Sequence, residues 1–454
     1  FALTLPFMIF AVVRGDFGLP IVAHFYFIFI LSVLVYHLTG LFAGMISPKA
    51  RRAAVFAQVL VVILYFALPQ FSRFGLTFFE FLTIRPALFG LVHTEVVRLN
   101  GTDATLFQPG PAFTALDTFR DIPFFSIHLH PTVYTVIVQG VLLCTMWHMV
   151  SRRWRADDTP GFSKSGALVF QLALSTLVLG SGWAAIHGGP GPLSQLAHVG
   201  RELPLEAQLV FTLAYTIVVL AVGMFAFGNA CPSPFLTSRG YQKMRKQRRA
   251  SLGLWRDEST ALPLAILTVL ITIASAALLY ASFRIDGAVA HWPAPQWSLL
   301  FALTIAGATL FSHGVCERCA TRDRLVAIFI VWIVPVLVVA VLAAADARPR
   351  FPAFAATPFP IAAAVVTAEQ ALSTVTNTAT DAPIEWLRND AELRALYPAL
   401  PITAAAIQIA LGIGAQTINI RDRARRRRRA LGTDVPAPTA PAQAGAPRVN
   451  PAAV

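Results

Sequence analysis

Apolar runs of about twenty residues recur along the whole chain, and short basic knots stand between some of them. The stretch "FAGMISPKARRAAVFAQVLVVILY" (42–65) shows the pattern: Lys49, Arg51 and Arg52 fall within four positions, with hydrocarbon on both sides. A run of that length is what an α-helix needs to cross roughly 30 Å of lipid at about 1.5 Å per residue. Unpaired backbone groups are so costly in lipid that such runs fold as helices and not as open strands. Comparable runs lie at 21–45, 54–71, 131–151, 166–186, 206–228, 261–283, 297–315, 325–345 and 403–419, and residues 1–13 read as the end of one more. The expected fold is therefore all-α: a polytopic transmembrane helix bundle of about ten spans, with interfacial outer helices. The 56% hydrophobic content against 13% charged excludes an ordinary water-soluble domain. Because the chain opens inside an apolar run and without Met, further sequence is expected upstream.

Charge gives the orientation, since Lys and Arg are retained on the cytoplasmic side of short connections. If 47–52 is cytoplasmic, alternation puts 152–165, 229–260, 316–324 and 420–454 on the same side. Those five segments hold 25 of the 36 basic residues and 8 of the 23 acids, so the net charge of +13 comes from one face. The runs "YQKMRKQRR" (241–249) and "RDRARRRRR" (421–429) then read as topology anchors touching anionic headgroups of membrane lipids, and no nucleic-acid partner is needed. On the other face, 72–130 and 346–402 are the sizeable pieces. Residues 74–99 are too charged to span and apolar enough to lie in the interface or dip into it as a re-entrant segment. The second piece ends in an amphipathic stretch with Trp386 and Tyr397. Residues 420–454 form a basic, Pro/Ala-rich cytoplasmic tail, whose last part, 433–454, has too little apolar bulk to pack.

Catalytic signatures are missing. There is no Gly-Lys pair, hence no phosphate cradle of the G-x-x-x-x-G-K-[ST] type, and nucleotide energy would have to come from a partner. "HGVCERCATRD" (313–323) offers Cys316 and Cys319, but a structural zinc site wants a second pair, and Cys144 and Cys231 stand alone. His24 and His37 are thirteen residues apart, about 220° around a helix, so they do not face one interior. His128 and His148 could ligate haem at two depths only with matching partners on another helix. Neither metal nor cofactor is expected, and catalytic residues are not expected either. The spans contain almost no charge, which argues against a proton- or ion-coupled carrier.

Residues 1–69, and the order of the segments after them, resemble the second half of the permease subunit of type-2 ABC exporters. A helix with Leu-Pro near its middle is followed by a Gly-containing outer turn, a returning helix, a Ser-x-x-x-Arg-Arg hairpin, short outer helices at 72–130 and a last helix at 131–151. Residues 152–419, with "SRGYQKMRKQRRASLGLWRDEST" between helices, are similar to the longer bacterial forms grouped with multicopper-enzyme-maturation permeases. The resemblance implies a domain at 1–151 and additional helices at 152–419. It also implies two helices and an interfacial helix upstream of residue 1. The partners it implies are an ATPase subunit and a second permease copy or paralogue, in the bacterial inner membrane with the C-terminus cytoplasmic. Lys49, Arg51 and Arg52 would face the ATPase. The alternative is a scaffold subunit of a larger respiratory or photosynthetic complex.

Overall fold

A computed structural model describes residues 19–46, 50–69, 77–84, 86–87, 122–125, 127–155, 159–186, 205–247, 253–281, 284–285, 288–289, 295–319 and 399–431. The expected runs at 1–13 and 325–345, the outer piece 346–398 and the tail beyond 431 lie outside these residues, as does Lys49. Among the described residues the architecture is a helical bundle. Its elements are α1 (Leu19–Ile46), α2 (Ala50–Val62, continued by a π-helical turn Ile63–Ala67), α3 (Pro131–Arg155), α4 (Lys164–Ile186), α5 (Leu205–Ala230), α6 (Pro234–Lys246), α7 (Leu262–Ala281), α8 (Pro295–Arg318) and α9 (Ala399–Leu431). Two short antiparallel ladders complete it: β1 (Ile122–Phe124) with β2 (Ile127–Leu129), and β3 (Arg284–Ile285) with β4 (Ala288–Val289). Among the described residues seven helices, α1 to α5, α7 and α8, are long and apolar enough to cross a membrane. The chain is thus a multi-pass membrane protein.

Burial grades the helices from centre to edge. In the span Phe211–Ala230 of α5, 67% of residues are buried, against 6% in Ala50–Ala67, so α5 is the axis of the bundle and α2 its periphery. Around α5 the core gathers Tyr134, Phe162, Phe170, Tyr215, Met224 and Phe227. On α1 and α2 the large apolar side chains Phe25, Phe27, Val55, Val59 and Phe66 point away from protein. That arrangement suits a hydrocarbon solvent, in which apolar exposure carries no penalty. Tyr36 and Tyr65 stack at 4.0 Å and join the two helices.

Within the spans many of the polar side chains are hydroxyls satisfied within their own helix. The hydroxyls of Thr39, Thr145, Thr216, Thr268, Thr272, Ser275, Thr304 and Thr309 each donate to the carbonyl four residues back. That carbonyl is the nearest acceptor where water is absent.

At one end of the bundle the Tyr134 hydroxyl donates to the Leu177 carbonyl at 2.9 Å and lies 2.6 Å from Ser181 Oγ. The same end receives a 3-10 turn, Thr77–Leu82, whose Phe81 ring meets Tyr134 edge-on at 4.6 Å. Phe78, Phe81 and Leu82 are core residues, so of the two arrangements expected for 74–99 this part takes the one that dips inward against the bundle. Packing against Tyr134 buries three large side chains at once, more than an interfacial position would. The β1–β2 tip is wedged beside α4 at Gly180, where any Cβ would stand 2.0 Å from the Phe124 ring.

The last helix differs from its expected form. In place of a span at 403–419 followed by a tail, α9 continues as one helix to Leu431 and is not among the seven spans. The reason is in the sequence: from Ala415 to Leu431 there is neither Gly nor Pro, and arginine is a good helix former. At about 50 Å, a helix of this length exceeds the hydrocarbon thickness, so its arginine-rich end stands clear of it.

Candidate functional site: the charged end of the bundle

The basic segments meet at the end of the bundle opposite Tyr134. Arg152, in the last turn of α3, donates to Asp257 at 2.6 Å, and Lys243 of α6 reaches Glu258 at 3.2 Å. Arg423 of α9 lies 3.8 Å from Glu317 of α8. The first pair ties 152–165 to 229–260 and the third ties 316–324 to 420–454, while the hydrogen bond from Thr260 to Glu317 joins the two sets. The fifth segment joins them through α1: Ile28 packs on Ile84 and Ala87 near the Tyr134 end, whereas Thr39 Oγ1 lies 3.3 Å from Met146 Sδ, deeper along α3. Helices α1 and α3 therefore run in parallel, and the hairpin that carries Arg51 and Arg52 belongs to the charged end. Arg51 and Arg52 are exposed in the first turn of α2 and form no ion pair with another described residue.

The loops at this end are built, not merely collected. Lys164 opens α4 and is buried, its ammonium donating to the Leu254 carbonyl at 2.5 Å and to Ser259 Oγ. Ser259 Oγ in turn lies 2.7 Å from the Leu254 carbonyl and 2.8 Å from the Arg256 carbonyl, with one hydrogen to share between them, so the lysine and the serine together close the turn 253–260. Ser233 caps α6 by accepting from the Leu236 N–H at 3.1 Å, with Pro234 at the first helical position. Lys243, Arg245 and Lys246 sit in the last turn of α6, where the helix dipole favours cations. Thr260 accepts from the Leu262 N–H and donates to Glu317 Oε1 at 2.6 Å, joining the start of α7 to the end of α8.

Helices α8 and α9 make the most polar contact in the bundle. Gln416 Nε2 donates to the Leu310 carbonyl at 2.7 Å and lies 3.0 Å from His313 Nδ1. On the other side of the ring, His313 Nε2 faces Glu317 Oε1 at 3.9 Å. Asn419 donates to the Gly314 carbonyl at 3.1 Å and accepts from Arg318 Nε at 3.0 Å. Between α6, the turn 253–260, the end of α8 and α9 lies a cavity of about 220 Å³, whose wall includes Glu258, Thr260, Glu317, Asn419, Arg423 and Arg426.

Of the residues singled out in sequence, the structure brings Arg51 and Arg52 to the charged end, while Lys49 is not described. His148 is held there too, with its ring 6.1 Å from Phe162 and Nε2 3.4 Å from Ser163 Oγ. His128 lies on β2 at the far end from His148. Cys316 is buried in the core and Cys319 partly buried, and they form no disulfide. Among the described residues no group of three or more His, Cys, Asp or Glu is gathered for a metal ion. The polar face of α9 was missed. Gln408, Gly412, Ala415, Gln416, Asn419 and Arg423 recur at spacings of one, three and four, within about 100° of the helix surface. That stripe was the available signal. Comparison with protein-family models, characterised proteins and solved structures finds no match.

Proposed function

We propose that this multi-pass protein is the permease subunit of an ATP-driven ABC exporter, worked by a separate ATPase that docks on the charged end, in a bacterial inner membrane. The observation that carries the reading is the separation of charge from span. Among the described residues every ion pair lies at one end, and apart from His313, buried in α8 toward that same end, the polar side chains buried in the span interiors are hydroxyls and carboxamides. A transporter so built has no charged relay in mid-membrane to couple to an ion gradient, so its energy enters at an end. Arg51 and Arg52 support the same view. They occupy the first turn of α2, where the helix dipole disfavours cations, so their position serves orientation and an acidic partner and not their own helix.

The test is purification of the chain in mild detergent from its native host, with mass spectrometry of what accompanies it and an ATP-hydrolysis assay. The expected result is a stoichiometric ATPase whose activity, or whose retention, falls when Arg51→Glu and Arg52→Glu are introduced together. Recovery with haem- or pigment-bearing subunits and without an ATPase would overturn the proposal in favour of a scaffold in a respiratory or photosynthetic assembly.

A further inference from the structure

The arginine-rich extension of α9 is more than an exposed run, because one of its faces closes a cavity. Asn419, Asp422, Arg423, Arg426 and Arg427 recur at helical spacing and together form one wall of the 220 Å³ cavity. Arg425 and Arg429, on the same helix, do not line it. The opposite wall comes from α6 and the turn 253–260, which supply Tyr241 and the apolar side chains of Met244 and Leu254.

Three acids also line the cavity, and their partners decide its sign. Glu317 takes a hydrogen bond from Thr260 at 2.6 Å and faces Arg423 at 3.8 Å. Glu258 is held by Lys243 at 3.2 Å, and Lys243 is outside the lining. Asp422 stands four residues before Arg426 on one helix face, the spacing at which opposite charges offset each other. Arg427 is left in excess on the lining, and Arg318, bound to Asn419, adds positive charge behind it.

We propose that this cavity binds a phosphate-bearing anion through Arg427, with Arg426 beside it on the same wall, and that the phosphate belongs to an anionic lipid headgroup. The cavity sits at helix ends, with Thr260 just before the span α7 and Glu317 in the last turn of the span α8, which is headgroup depth for a bundle in a bilayer. Guanidinium groups pair with phosphate oxygens in a planar, two-pronged geometry that lysine lacks. Basic pockets between span ends are suited to such headgroups. Met244 and Leu254 give the glycerol and upper acyl region an apolar wall. The assignment does not rest on the exporter reading.

Thermal unfolding of the detergent-solubilised full chain tests it, with phosphatidylglycerol, phosphatidylcholine or inorganic phosphate added at matched concentrations. The variant is R426Q/R427Q. The control is R425Q/R429Q, which removes the same charge from the same helix outside the cavity. Phosphatidylglycerol is expected to raise the unfolding temperature of the wild type and the control above the phosphatidylcholine value, and the variant should lose most of that rise. A rise produced equally by inorganic phosphate, and lost in the variant, would overturn the lipid assignment and make free phosphate the ligand. Equal losses in variant and control, or no rise in the wild type, would overturn the site itself. Native mass spectrometry of the wild type gives a readout that does not depend on how the variant folds. One phosphatidylglycerol retained per chain after phosphatidylcholine has dissociated is expected, and retention of neither lipid, or of both alike, counts against the proposal.

Discussion

Glu258 shows how single residues at the charged end are tuned. Burial by itself would push its carboxyl upward, but the hydrogen bond from its own backbone N–H, Lys243 at 3.2 Å and the nearby Arg256 together hold it below its ordinary value of 4.5. A carboxyl depressed in the folded state contributes stability that is fully present above its unfolded value and is lost as pH falls through its folded one. Glu258→Gln should therefore be less stable than the wild type at neutral pH, and the gap should close as pH drops below 4.5. Unfolding temperatures of the two proteins, compared from neutral pH down through the carboxylate range, measure this. A gap that persists unchanged in acid would mean that the side chain acts by shape and not by charge. The same residue illustrates the limit of reading sequence alone. Asp257 and Glu258 look like acids placed near the start of a helix, yet the structure gives them Arg152 and Lys243 as partners, 105 and 15 residues away.

Helices α8 and α9 meet closely because glycine lets them. A Cβ at Gly307 would lie 2.4 Å from the Gln408 carbonyl carbon, and one at Gly412 would lie 2.8 Å from the Gly307 oxygen. Backbone stands on both sides of that contact, so neither helix can yield by turning a side chain. In lipid such close approach is a main source of helix association, since apolar side chains gain little by leaving one hydrocarbon for another. Gly307→Ala is expected to separate the pair and to cost about 1–3 kcal/mol. Gly414→Ala, at a position with nothing within 4 Å, should be neutral or stabilise by up to about 1 kcal/mol through helix propensity. Unfolding of both variants in mixed micelles with rising SDS compares them. Equal stability of the two would show that the helices do not touch as described. The polar stripe of α9 was legible as a spacing, but the identity of its partner was not, because the stripe is compatible with any helix that offers carbonyls and small residues.

On the scale of the whole molecule, the charge asymmetry counted along the chain becomes a single charged end. Trp154 and Leu254 are exposed at that end, and Ile127 is exposed at the other. Single cysteines at 154, 254 and 127, in a background without the four native cysteines, should divide in sealed vesicles. An impermeant thiol reagent applied from one side is expected to label 154 and 254 together, and 127 only from the opposite side. Labelling of all three from one side would show that the charged end is not a membrane face.

The sequence by itself determined that this is a helical protein of the membrane and where most of its spans begin and end. Length and hydropathy are local properties, and lipid leaves an apolar run of twenty residues one way to satisfy its backbone. It also determined which loops share a side, because charge retention acts on each loop separately. Which helix occupies the centre, that 77–82 folds inward, that α9 carries its helix through the arginines to close a cavity, and that His313 sits between Gln416 and Glu317 were decided only by tertiary structure. Each of these depends on a partner distant in the chain or on the space between helices. Once inside lipid the spans look alike to solvent, so close approach and polar pairing choose among arrangements that hydropathy cannot distinguish.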